Sequence, residues 1–82
     1  MSEISVYDVL EVVNNNLNNS KISNNQLDVD IFKGYVDSVT FVQTLVELEE
    51  KFNCTIPDSK LLPDEMNTIN KIYKIIKDLL ES

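Results

Sequence analysis

A chain of 82 residues that is 43% hydrophobic is sized for one domain, 1–82, with a small core and modest stability. Its net charge of −7, with no histidine, has the wrong sign for a phosphate backbone, so nucleic acid is excluded and partners with basic surfaces are expected. Three features predict a cytoplasmic protein without membrane insertion: no run of the ~20 apolar residues that span a bilayer, no basic n-region at residues 1–5, and a single Cys54 that cannot form an internal disulfide.

One Gly and two Pro leave few chain breakers, so helices are expected throughout. Val6, Val9, Leu10, Val13 and Leu17 recur at helical spacing and predict a first helix, with Ser2 as N-cap and Glu3 in the first turn. The asparagine-rich stretch from Asn14 to Ser20 ends it, because the Asn amide competes for backbone hydrogen bonds. A long loop then runs to about Val36, pinned by Ile22, Leu27, Val29, Ile31 and Phe32.

A second helix is predicted from Ser38 to Phe52, capped by Asp37 or Ser38, with Val42, Leu45, Leu48 and Phe52 as its apolar stripe. Pro57 disfavours helix at Ile56, so residues 54–57 form an extended exit in which Cys54 shares the parity of Ile56 and fills core. Pro63 can open one short helical turn to Met66. In the last helix Ile69, Ile72, Tyr73, Ile76, Leu79 and Leu80 follow the i, i+3, i+4 rule, with Asn67 or Thr68 as cap. The expected fold is all-α: a small bundle of three main helices plus one short helix, with a long loop between helices one and two.

Without histidine, neither a Ser–His nor a Cys–His nucleophile pair can be built, and no His–Cys zinc site is available. Glu49 and Glu50 are adjacent and diverge on a helix, so they make no paired-carboxylate site. The chain is therefore not read as an enzyme, and no metal or catalytic residue is assigned. Ser38 is the position with chemical potential. It follows Asp37 at the head of an amphipathic helix, where unpaired N–H groups and the positive end of the macrodipole would stabilise an attached anion such as a phosphodiester. Asp-Ser also serves as a plain cap, as it would in an unmodified helical adaptor or dimerisation module.

A wider pattern bears on that choice. Asp30-Ile31-Phe32, Gly34, Asp37-Ser38-Val39, the spaced Val42 and Leu45, Leu48-Glu49-Glu50, Phe52 and Ile56-Pro57-Asp58 together resemble the acyl carrier protein family over roughly Val29 to Ile76. That resemblance implies 4′-phosphopantetheine attached covalently to Ser38, with Asp37 recognised by a phosphopantetheinyl transferase and its Mg2+. It also implies cargo held as a thioester on the arm, a loading ligase, and a downstream acyltransferase or synthase. Asn67-Thr68-Ile69-Asn70 and Gly34 resemble the D-alanyl carrier branch, although Ile69 stands at its usual proline and Val39-Thr40 at its common Phe-Gly. Fatty-acid carriers place acids just after the serine, where this chain has Thr40 and Gln43. An aminoacyl or specialised acyl cargo is thus favoured over a fatty-acid or polyketide acyl group. On the family's pattern Val39 and Val46 are the apolar docking contacts, ringed by Thr40, Gln43, Glu47 and Glu50, on a protein expected to work as a monomer. Lipid-like cargo would retreat near Leu45, Leu62 and Met66, whereas a small polar aminoacyl group would stay largely exposed.

Overall fold

The computed structural model describes residues 4–17 and 21–81. Helix α1 spans Val6–Asn15, α2 Ser38–Phe52 and α3 Ile69–Glu81, and the described residues contain no strand. The expected N-cap Ser2 and first-turn Glu3 lie outside the described residues. Ser5 caps α1 instead: its hydroxyl accepts the Tyr7 N–H at 3.1 Å, and its own N–H donates to the Asp8 carboxylate at 2.9 Å. These reciprocal bonds satisfy donors that a helix start leaves unpaired.

Helix α1 packs on both α2 and α3, which explains its wide buried face. Val12 joins Val9, Leu10 and Val13 in the core, a residue outside the single stripe expected from the spacing. Leu17, two residues past the end of α1, is still buried. From α2 come Phe41, Leu45 and Leu48, and from α3 Ile69, Ile72 and Ile76. The expected position of Val42 in the α2 stripe is corrected by the structure: Val42 is 58% exposed. The buried row starts at Phe41, and steps of four and three residues carry it to Leu45 and Leu48; Val42 lies about 100° around the helix from that start. Thr44 is buried as well, its hydroxyl donating to the Thr40 carbonyl at 2.8 Å.

The described residues of the loop after α1 form no helix or strand, yet specific bonds hold them. The Asn14 amide donates to the Ile22 carbonyl at 3.0 Å and accepts the Ile22 N–H at 2.8 Å. Ile22 is thereby fixed with its side chain in the core. Further along, the Asn70 N–H donates to the Leu27 carbonyl at 3.0 Å, and the Asn70 side chain donates to Asp28 at 2.7 Å. The loop is thus tied to α1 at one end and to the start of α3 at the other.

Two 3-10 turns connect α2 to α3, Asp58–Lys60 and Pro63–Glu65. The second falls where a short helical turn is expected, and the first is additional. Thr68 caps α3, accepting the Lys71 N–H at 3.0 Å.

Candidate attachment site and docking face

The residues that place Ser38 begin with a turn. Gly34 has φ +103°, a backbone region that side-chain-bearing residues rarely adopt. Beyond it, the Tyr35 and Val36 N–H groups both donate to the Ile31 carbonyl, at 3.2 and 2.8 Å. The Ile31 N–H donates to the Asn67 carbonyl at 2.8 Å, so the run-in to α2 is anchored to the segment that opens α3. Ile31 and Val36 are buried. The chain then emerges at Asp37.

Asp37 is the N-cap of α2, with extended backbone and a carboxylate that accepts the Thr40 N–H at 2.8 Å. Bonding from the Thr40 backbone and side chain holds its carboxyl below the ordinary value of 3.8. Ser38, the first residue of α2, is exposed, and the cap bond is made by Asp37 rather than by its hydroxyl. The residues present fit a phosphodiester: the hydroxyl is open to an enzyme, it stands at the positive end of a 15-residue helix, and the cap does not depend on it.

The other residues expected to meet partners are on the same helix. Val39, Gln43, Val46 and Glu50 follow steps of four, three and four and share a face, with Glu47 beside them. All five are exposed, and Val39 and Val46 are 67% and 47% accessible. Apolar residues so placed are available to a partner rather than to the core. Thr40 stands apart. It is half-buried, and its N–H and carbonyl are both bonded within the first turns, so it supports the cap more than the docking face.

Beside Ser38 lies an open apolar groove of about 360 Å3, lined by Ser38, Phe41, Val42, Leu45, Val46 and Glu49 of α2 and by Leu61; Val46 thus borders both the groove and the docking face. The Phe32 ring, edge-on to Phe41 with centroids 4.9 Å apart, adds a wall from the long loop. Of the expected cargo-lining residues only Leu45 lines this groove. Met66 is fully buried in the core, and Leu62 is 56% exposed, outside the lining. The Asp58–Lys60 turn, closed by the Leu61 N–H on the Asp58 carbonyl at 3.1 Å, presents Leu61 to α2 in place of Leu62. Glu49, Phe32 and Leu61 had no expected place in a groove beside Ser38. For Glu49 the signal was there: Ser38, Val42, Leu45 and Glu49 recur at helical spacing.

Two further features carry little chemistry. Cys54 is half-buried against the core, and burial, reinforced by the Glu49 charge, pushes its thiol up, away from the reactive thiolate. A hollow of about 380 Å3 against α3 mixes Lys60, Lys71 and Lys74 with Asp64, Glu65 and Asp78, so no net charge selects a ligand there. No group of potential metal-binding side chains occurs among the described residues, and no described helix is long and apolar enough to cross a membrane.

A three-helix bundle with an exposed serine hydroxyl at one helix head and an adjoining groove is an arrangement suited to a carrier. The chain belongs to the family described as phosphopantetheine attachment site, which matches residues 8–76. It is similar to the D-alanyl carrier protein of Leuconostoc citreum strain KM20, with 41% identity over 56 residues, covering 67% of this chain and 72% of the relative. The D-alanyl carrier protein of Streptococcus mutans is 43% identical over 54 residues, covering 65% and 68%, and that of Streptococcus suis strain 05ZYH33 is 39% identical over 57, covering 68% and 72%. As a member of this family the protein is a carrier with covalently attached 4′-phosphopantetheine, and it serves partner enzymes rather than catalysing a reaction itself.

Proposed function

We propose that Ser38 is the residue that carries the phosphopantetheine arm, and that the cargo is an aminoacyl group, D-alanyl on the pattern of the named relatives. The observation that carries this reading is the exposed Ser38 side chain, set between a capped carboxylate and an apolar groove. When bound, the arm supplies a terminal thiol for a thioester. The chain's own contribution is positional. Helix α2 holds the attachment point rigidly, and tethering raises the cargo's effective concentration at a partner's active site.

Asp37 has a defined part in this scheme. Its carboxylate stands one residue from the hydroxyl and keeps its negative charge through the bonding to Thr40. Together with a phosphate entering at Ser38 it offers two anionic groups to a divalent cation held by the transferase. Val39 and Val46 fix the docked pose, while Gln43, Glu47 and Glu50 guide approach to basic surfaces; Thr40 supports the turn they stand on. The partners are a phosphopantetheinyl transferase, an aminoacyl-loading ligase and a downstream acyltransferase, met in the cytoplasm by a monomeric carrier.

The test is intact-protein mass spectrometry after incubation with coenzyme A and a promiscuous transferase. The wild-type chain gains one phosphopantetheine and Ser38→Ala gains none. An unmodified wild-type chain defeats the proposal.

A further inference from the structure

The groove beside Ser38 is apolar along its length except at its ends. Ser38 stands at one end and Glu49 at the other, both on α2 and both in the lining of the same cavity. The eleven steps from one to the other rise about 1.5 Å each, or roughly 16 Å along the helix. One Glu49 oxygen accepts the Ile56 N–H at 2.8 Å, which fixes the side chain against the exit from α2. Among the described residues no lysine pairs with this carboxylate. One oxygen of this carboxylate is used on the Ile56 N–H, which leaves a negative charge with no cationic partner among the described residues at the far end of an apolar trough.

We infer that Glu49 receives the ammonium group of an α-aminoacyl cargo, so that the groove favours a cationic thioester over a neutral acyl group of the same size. This rests on attachment at Ser38. A phosphopantetheine chain beyond the serine oxygen has about fourteen atoms up to its sulfur, and the cargo's carbonyl carbon, α-carbon and amino nitrogen add three more, so the fully extended reach is ~19 Å. A slightly bent arm therefore brings the ammonium across the run of roughly 16 Å from Ser38 to Glu49. The gem-dimethyl and methylene parts of such an arm meet Val42 and Leu45, and the α-amino group, protonated at neutral pH, meets the carboxylate. A partly exposed ion pair of this kind biases occupancy roughly threefold, enough to steady the cargo in transit without holding it back from a partner. The inference revises the expectation from sequence that a small polar cargo stays largely exposed.

Two thioester forms of the wild-type chain test it, made from alanyl- and propionyl-coenzyme A with a promiscuous transferase and differing only in the amino group. Nuclear magnetic resonance shifts are then read at the Glu49 carboxyl and the Ile56 amide. The alanyl form is expected to move both signals and the propionyl form to leave them near the positions of the unloaded holo protein. Glu49→Gln, whose amide oxygen still accepts from Ile56, erases the difference between cargoes, whereas Glu11→Gln, exposed on α1 and outside both the groove and the docking face, retains it. The effect shrinks severalfold from about 0.01 to 1 M salt, as the screening length falls from ~30 to ~3 Å. Identical signals for the two cargoes in the wild-type chain overturn the inference, as does an alanyl-specific shift that survives in Glu49→Gln. A chain that gains no mass overturns attachment at Ser38 along with it, while a loaded chain blind to its cargo's charge overturns this inference alone.

Discussion

At Asp37 and Ser38 two neighbouring side chains divide two tasks that the sequence alone left open between them. Asp37 caps α2, and Ser38 is left free of that duty. Replacing Ser38 by Ala is therefore expected to leave stability within about 0.5 kcal/mol, since the cap bond is kept. A drop well beyond that in a urea titration would mean that the hydroxyl is structural after all. The Asp37 cap is pH-dependent in a defined sense. Its folded-state carboxyl titrates below the ordinary value of 3.8, so its contribution is complete above that value and is lost as the pH falls through the lower folded one. Wild type and Asp37→Ala should differ in Tm at neutral pH and converge as the pH is lowered well below 3.8. A constant offset across that range would contradict the assignment. Gly34 is needed for its backbone conformation alone, because no atom lies within 4 Å of where a Cβ would stand. Gly34→Ala should cost about 1–3 kcal/mol through strain at φ +103°, with no clash to relieve.

Among the elements, the helices were legible and the ties between them were not. Repeats of Ile, Leu and Val at steps of three and four residues marked α1, α2 and α3, because a helix against a core must present one apolar face. The same pattern misplaced Val42. Phe41 and Val42 are both apolar, and each reaches Leu45 by a helical step, four residues from one and three from the other, so periodicity does not decide which of them faces inward. Asn14 was read as part of a turn-forming run. Its propensity gave no hint that its amide would clasp both backbone groups of Ile22, eight residues on. Asn14→Ala should cost about 1–3 kcal/mol, because it strands a part-buried N–H and carbonyl. Leu48, fully buried on α2, should cost about 2–5 kcal/mol as Leu48→Ala. Equilibrium unfolding measures both. The Asp58–Lys60 turn was also hidden, as a single 3-10 turn has no periodicity to display, and with it the choice of Leu61 for the groove.

On the scale of the whole molecule, the core fixes three helices and leaves one face of α2 exposed, the face proposed to meet partners. Three valines exposed on one helix, Val39, Val42 and Val46, are a cost in solubility that a docking surface explains. Val46→Ala is expected to lower a loading ligase's kcat/KM while leaving Tm close to wild type, because that side chain is 47% exposed. The net charge of −7 should make encounter with a basic partner slower at high salt. These effects presuppose cargo at one point, the head of α2. Trypsin cuts after Lys33 and Lys51, which isolates residues 34–51 with Ser38, Thr40 and Thr44 as their hydroxyl-bearing residues besides Tyr35. Tandem mass spectrometry of that peptide from the holo protein should place phosphopantetheine on Ser38. Finding it on Thr40, or finding the peptide unmodified when the intact chain has gained mass, would contradict the account.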